Sequence, residues 1–537
     1  MTEGVIAVTP VASEPSPSEG PDIIGQLLRA QAEPSAVEVF ADWHETESHR
    51  LEPTYRKLLP VSPPVEGEQY AFSVDLDACT ACKACVSACH SLNGLEDGEM
   101  WRSVGSLVGG TTREPFRQTV TTACHHCLEP ACMHGCPVHA YEKDPVTGIV
   151  RHLDDQCIGC RYCMLTCPYE VPKFSPSKGI VRKCDMCSDR LGEGEAPACV
   201  QGCPNDAISI TVVSTRDVLD DLTIGNLVPG APDPTLTLPS TQYVSRKVRP
   251  RNTRAVDLAD VEPREGHPPL VVMLTLTQLS VGALALQSGW PLREEALTPF
   301  TTAIALLALA ASTLHLGRPQ WAFRAILGLR RSWLSREILA FGLFAGLAVS
   351  SVGLSWLGAP PAWQKILRIL TVGMGLVGIL TSAMIYKSTG RPTWKGLDTP
   401  LKFFATALIL GAATHLLVGA LAGAEGLQAP LTVLLAASSA KLLLELGSLR
   451  ALAHRVESPH RAAARLLVGP LRSWLIPRWV LGSVAGVASP LFYLSSQMDP
   501  GAVSAVLLFV ALLVAELIHA HLFFVAAAAP KMPGETR

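Results

Sequence analysis

The pattern of apolar and polar positions divides the chain near residue 268. Before that point apolar residues come in short runs broken by Gly, Pro and charge. Ala71-Phe72-Ser73-Val74-Asp75 alternates with the period of a strand. Gly148-Ile149-Val150, Gly179-Ile180-Val181 and Ala207-Ile208-Ser209-Ile210 predict further short strands. After Pro269 the runs lengthen and lose their polar faces. Eight reach roughly 20 residues, the length that a bilayer core demands. They lie near 269–290, 297–317, 337–358, 366–386, 401–423, 430–449, 474–496 and 501–527. A soluble helical bundle would carry polar stripes, and these runs have few.

Residues 1–35 are rich in Pro, Ser, Glu and Ala, a composition that predicts disorder. Residues 36–66 scatter Val37, Phe40, Trp43 and Tyr55, enough for an arm that packs on a neighbour. The Met-Thr-Glu-Gly start has neither the basic nor the apolar region of a secretory signal. Residues 211–268 read as a Pro-rich connector ending in Arg246, Lys247, Arg249, Arg251 and Arg254, a run expected at a lipid surface. The expected domains are a flexible extension (1–66), a cysteine-rich domain (67–215), a basic linker (216–268) and a membrane anchor (269–530).

The loops between the runs are lopsided. One set carries Arg318, Arg324, Arg330, Arg331 and Arg336, then Lys387, Arg391, Lys395 and Lys402, then Arg450, Arg455, Arg461, Arg465, Arg472 and Arg478. The opposite set carries Arg293 and Lys365. The positive-inside rule puts both termini, and the cysteine-rich domain, on the cytoplasmic side of the inner membrane. The net charge of -3 argues against nucleic-acid binding.

All 16 cysteines fall between Cys79 and Cys203, in four groups of four. Cys79, Cys82, Cys85 and Cys89 are spaced C-x2-C-x2-C-x3-C, as are Cys157, Cys160, Cys163 and Cys167. Cys124, Cys127, Cys132 and Cys136 have two extra residues between the middle ligands; Cys184, Cys187, Cys199 and Cys203 have a longer loop there. Pro follows the last three groups. This is the spacing of [4Fe–4S] ligands, in which three thiolates hold one cube and the fourth serves its mate. Zinc needs neither the third close cysteine nor the proline. Disulfides suit a secreted chain, and the close triplets have poor geometry for them. The predicted fold is therefore an α+β ferredoxin-like iron–sulfur domain of two two-cluster modules, followed by an all-α polytopic membrane domain of eight transmembrane helices. Lys83, Arg161, Arg182 and Lys183 flank the ligands, placed either to offset cluster charge or simply on solvated surface.

Charges inside spans are functional candidates. His315 ends the second span and Glu337 opens the third; Lys441 and Glu445 lie four apart in the sixth, placed to pair; Glu516 and His519 lie late in the eighth. His415 stands alone in the fifth span and reads as a packing histidine. Nothing in the histidine spacing demands a haem.

The four cysteine groups in this order, above all Cys157-Ile-Gly-Cys-Arg-Tyr-Cys163 and Cys184-Asp-Met-Cys187, resemble the iron–sulfur subunit of the dimethyl-sulfoxide-reductase family of molybdenum oxidoreductases. His315-Leu-Gly-Arg-Pro319 and Ser332-Trp-Leu-Ser-Arg-Glu337 resemble that family's eight-span anchor. The resemblance implies four [4Fe–4S] clusters on crossed ligand sets: Cys79, Cys82, Cys85 with Cys203; Cys184, Cys187, Cys199 with Cys89; Cys124, Cys127, Cys132 with Cys167; and Cys157, Cys160, Cys163 with Cys136. It implies that the last lies nearest the membrane. It also implies a menaquinol site at His315 and Glu337, where Trp333 and Arg336 lie on the same loop and are placed to pack on or hydrogen-bond the quinone ring. A separate molybdopterin-containing catalytic subunit would act on the terminal substrate, such as DMSO, nitrate or a sulfur compound. Two departures stand out: both subunits are fused, and the charges put the cluster domain in the cytoplasm. The expected function is quinol oxidation from the membrane quinone pool, with electrons passed to that subunit. The alternatives are a quinone-reducing dehydrogenase subunit and a cluster-driven ion-translocating module.

Overall fold

Among the described residues ten strands shape the cysteine-rich domain: β1 (Glu68–Asp75), β2 (Ser103–Gly110), β3 (Pro115–Thr122), β4 (Tyr141–Lys143), β5 (Val150–His152), β6 (Lys173–Ser175), β7 (Ile180–Arg182), β8 (Ile208–Ser214), β9 (Gln242–Val244) and β10 (Arg254–Ala255). The alternation at Ala71–Asp75 becomes β1, which buries Ala71, Phe72 and Val74. β1 pairs antiparallel with β8, Phe72 opposite Ile210, and takes β9 in parallel on its other edge. β2 and β3 form a hairpin edged by β10; β4–β5 and β6–β7 are two more hairpins. Each predicted short strand is present, and the cysteine loops hang from the strand ends.

The computed structural model describes residues 24–25, 38–39, 55–224, 227–287, 294–454 and 456–534. The expected arm at Val37, Phe40 and Trp43 lies outside the described residues, as do Arg293 and Arg455. Tyr55 and Leu58 are buried, and Lys57 pairs with Asp206 at 2.7 Å. The segment expected as a bare connector supplies β9 and β10. Its basic run stays with the strands: the Arg246 N–H donates to Asp77 Oδ2 at 2.7 Å, Lys247 lies 3.8 Å from Asp77, and Arg249 Nε donates to Gln118 Oε1 at 3.2 Å.

Eight long helices follow: α1 (Pro268–Gln287), α2 (Glu294–Thr313), α3 (Trp333–Trp356), α4 (Pro361–Lys387), α5 (Asp398–Leu421), α6 (Gln428–Leu449), α7 (Arg472–Ser496) and α8 (Ala502–Val525). Among the described residues seven are long and apolar enough to cross a membrane; the second expected span falls on α2, whose apolar stretch Leu297–Thr313 is shorter. α1 is the most enclosed, and it meets α5 backbone to backbone, where a Cβ on Gly282 would fall 1.8 Å from the Ala407 oxygen. Small residues permit such approaches in membrane bundles. α7 contains Pro477 and a π-helical turn at Val484–Ala488, both sources of local distortion.

Candidate redox site

All the cysteines are free thiols, and they stand in crossed sets. Cys79, Cys82, Cys85 and Cys203 line one cavity; Cys124, Cys127, Cys132 and Cys167 line another. Of the rest, Cys89 lies near Cys187 and Cys199, and Cys184 near Cys89 and Cys199. Cys136 lies near Cys157, and Cys160 and Cys163 lie near both.

The loops repeat a local design. Ala81 and Lys83 in the first group, and Gly159 and Arg161 in the third, have left-handed backbones. Backbone N–H groups then turn towards sulfur: Gly159 to Cys157 and Met186 to Cys184, both at 3.4 Å, Ala140 to Cys136 at 3.2 Å and Ala207 to Cys203 at 3.3 Å. Such bonds favour thiolate, the form that binds metal. Burial opposes them and pushes the Cys89 thiol up to about 12, a proton that coordination would displace. Among the described residues no three Cys, His, Asp or Glu side chains converge closely enough for a single ion. Four thiols lining one cavity fit the ligand set of a cubane.

The third cysteine loop meets the membrane domain, and the end of the second joins it. The Gly317 N–H donates to Gly159 O at 3.3 Å, and the Arg318 N–H to Ile158 O at 3.1 Å. Gly159, Gly179 and Gly317 touch backbone to backbone: a Cβ on Gly317 would lie 2.1 Å from Gly179 O. Arginines of the α2–α3 loop close the contact, Arg318 Nη1 on Asp154 O at 2.9 Å and Arg324 Nη1 on Asp155 O at 3.0 Å. Ser332 Oγ donates to Gly135 O at 2.7 Å. Beyond α4, Arg391 Nε donates to Leu165 O at 3.2 Å. Burial raises the Glu170 carboxyl, but the Arg264 and Arg391 guanidiniums outweigh it and hold it below the usual carboxylate range.

Tyr162 leaves its own domain altogether. It is buried with α1, α3 and α4 residues, and its hydroxyl donates to Ile385 O at 3.1 Å. Glu337, fully enclosed at the start of α3, lies beside the Ser382 hydroxyl, with Tyr162 and Tyr386 within reach of its charge. His315 sits past the end of α2, its Nδ1–H donating to Ser312 O, with His267 and Arg161 nearby. No bond joins His315 to Glu337 among the described residues. Both instead flank one loop, His315 by Arg161 and Glu337 by Tyr162. Arg336 stacks on Trp333 at 4.4 Å and donates to Leu329 O and Arg330 O, so it braces the loop that carries them. Sequence reasoning did not single out Tyr162 or Ser382. Tyr162 lies within the Cys157–Cys163 motif, and nothing in that motif says that its ring enters another domain.

The expected Lys441–Glu445 pairing is corrected. Lys441 bonds Glu516 of α8 and Thr406 of α5. Glu445 takes Arg478 of α7 at 2.8 Å and His519 at 2.9 Å. Partners on facing helices win because Lys441, Glu516 and Arg478 are buried, with Glu445 and His519 at their edge. Arg478, counted above as a loop charge, is one of the most buried residues in the protein. His415 is buried, Nε2 bonded to Ala283 O at 2.9 Å, as a packing histidine would be.

Paired sets of thiols, with the third loop gripped by a multi-pass helical domain, define an iron–sulfur electron-transfer subunit fused to its own membrane anchor. Residues 116–213 match the 4Fe-4S dicluster domain, and residues 267–525 match the DMSO reductase anchor subunit (DmsC). Similar proteins include the B subunit of anaerobic dimethyl sulfoxide reductase from Escherichia coli K12, 38% identical over 148 residues, 26% of this chain and 72% of the relative. The corresponding B subunit of Haemophilus influenzae is 35% identical over 155 residues, 27% of this chain and 75% of the relative. Hydrogenase-2 operon protein HybA of Escherichia coli O157:H7 is 35% identical over 184 residues, 29% of this chain and 55% of the relative. The protein belongs to the family of anaerobic dimethyl sulfoxide reductase B subunits, with the anchor of such complexes joined to it in one polypeptide.

Proposed function

We propose that this subunit oxidises menaquinol at the cluster-facing end of α2–α4 and passes the electrons, through four [4Fe–4S] clusters, to a separate molybdopterin subunit. The observation that carries this reading is Tyr162: the loop bearing Cys160 and Cys163 seats it beside Glu337. The clusters would be held by the four crossed sets, with Cys136, Cys157, Cys160 and Cys163 nearest the membrane. They supply one-electron carriers; the protein supplies the proton acceptors. Quinol loses two electrons and two protons. His315 has Nδ1 committed to Ser312 O, which leaves Nε2 to accept one proton. Glu337 accepts or relays the other beside Ser382.

The same reading assigns eight crossings. Residues before α1 and before α3 both meet the cysteine-rich domain, so α2 must return between them. Exposed Arg330, Arg331, Lys395 and Arg450 on that side favour the cytoplasm. Arg318, Arg324 and Arg391 serve docking and count for less. The likeness to a hydrogenase operon protein supports a second reading, a dehydrogenase partner that reduces quinone.

The test uses membranes with the full complex. His315→Ala and Glu337→Gln are expected to abolish quinol-driven cluster reduction, with iron near roughly 16 per chain, from four cubanes, and clusters still reducible by dithionite. Normal quinol-driven rates in both variants would rule the site out. Protease access to the cysteine-rich domain from the periplasmic face would reverse the topology.

A further inference from the structure

Arg102 follows Trp101 at the mouth of β2 and has no part in the function proposed so far. Its side chain is only 2% exposed. The Nη1–H donates to Thr121 Oγ1 at 3.3 Å, and that hydroxyl lies 3.7 Å from Cys85 Sγ. The Phe72 ring covers one face of the guanidinium, its centroid 4.7 Å from Cζ. Nε and Nη2 are buried and meet no acceptor among the described residues. An enclosed, charged donor without a partner loses its hydration with nothing in exchange. Guanidinium is also charged at any physiological pH. Such a group calls for an anion that the polypeptide does not supply.

The surroundings say which anion. Cys199, Cys85, Cys184 and Cys89 all lie close enough to the guanidinium to feel its charge. Cys85 belongs to the cavity set with Cys79, Cys82 and Cys203; the other three belong to the set built on Cys184. Arg102 therefore stands in the gap between two sets. Lys183 stands in the next gap, near Cys124, Cys132 and Cys184, but its ammonium already bonds Val150 O and Cys184 O.

We propose that Arg102 is a positioning residue shared by the two clusters of the first pair, donating Nε–H and Nη2–H to their sulfurs and raising both reduction potentials. This rests on the ligand sets proposed above. A fixed positive charge and donor bonds both favour the more negative, reduced cluster.

The test is a potentiometric titration of the full chain in membranes, followed by electron paramagnetic resonance. Cys203→Ser and Cys89→Ser first identify the signals of the pair. Arg102→Gln with full iron is expected to lower those two midpoints, each by about tenfold in the reduction equilibrium, about 59 mV for one electron. The other two midpoints should hold. Four unchanged midpoints, or an equal drop in all four, would overturn the proposal. If Arg102→Gln fails to assemble clusters, Arg102→Lys decides. It keeps the charge but loses the fork, so a smaller drop in the same two midpoints is expected, and unchanged midpoints overturn it. Fewer than four clusters in the unaltered protein would instead defeat the ligand assignment.

Discussion

Two regions of the membrane domain bury ionisable side chains, and they do so differently. In α5–α8, Lys441, Glu516, Arg478, Glu445 and His519 close on one another, two cations against two anions. Every charge has an opposite charge from a facing helix, and Thr406 adds a bond to Glu516 at 2.9 Å. At the cluster-facing end of α2–α4, Glu337 is just as enclosed, but among the described residues it lies beside the Ser382 hydroxyl and near Tyr162 and Tyr386, with no cation paired to it. Its neighbourhood is finished by another domain, through Tyr162. A satisfied network holds helices together. Under the proposed function, a buried acid beside a residue from the cysteine-rich domain would exchange protons. Burial alone does not separate the two; the identity of the partners does.

The comparison can be broken by substitution. Lys441→Met should have the largest effect on stability, a loss of about 3–5 kcal/mol, because Glu516 is left charged and part-paired. Thermal unfolding of the full chain in detergent reads it. The double change Lys441→Met with Glu516→Met should recover most of that loss and leave electron transfer intact. A network that carried protons would fail there.

Gly317→Val comes next. Its side chain must displace the Gly179 carbonyl, an overpacking of about 1–3 kcal/mol. The expected outcome is slower quinol-driven reduction with normal dithionite reduction, because the third cysteine loop lifts from α2–α3.

Glu170 gives a smaller, pH-dependent effect. Its folded carboxyl is held below the ordinary value, so its contribution is complete above the unfolded carboxylate pKa and is lost as pH falls through the lower, folded one. Protease sensitivity of the joint between the domains should rise in that acidic window in the unaltered protein, and Glu170→Gln should show it already at neutral pH.

The smallest effect on stability belongs to Glu337→Gln, within about 0.5 kcal/mol, although quinol-driven reduction should vanish. A large destabilisation there would make Glu337 a structural residue like Glu516 and erase the contrast.

The sequence by itself determined the four cysteine groups, the strands that carry them and the long apolar helices. These signals are local: ligand spacing over about ten residues, alternation over five, apolar runs over about 20. His315 and Glu337 stand out in the sequence for a similar reason, as ionisable groups at the edges of apolar runs. The partners were not. Lys441 and Glu445 share a helix face, yet each bonds a different helix. Arg102 looked like any charge before a strand, and Tyr162 like any residue between two ligands. The basic run at Arg246–Arg254 read as a lipid signal, and part of it bonds Asp77 and Gln118. In each case the deciding contact joins residues far apart in the chain. Periodicity records which side of an element is buried. Only the tertiary structure decides what lies against it, because the energy of a buried charge is set by the one group that faces it.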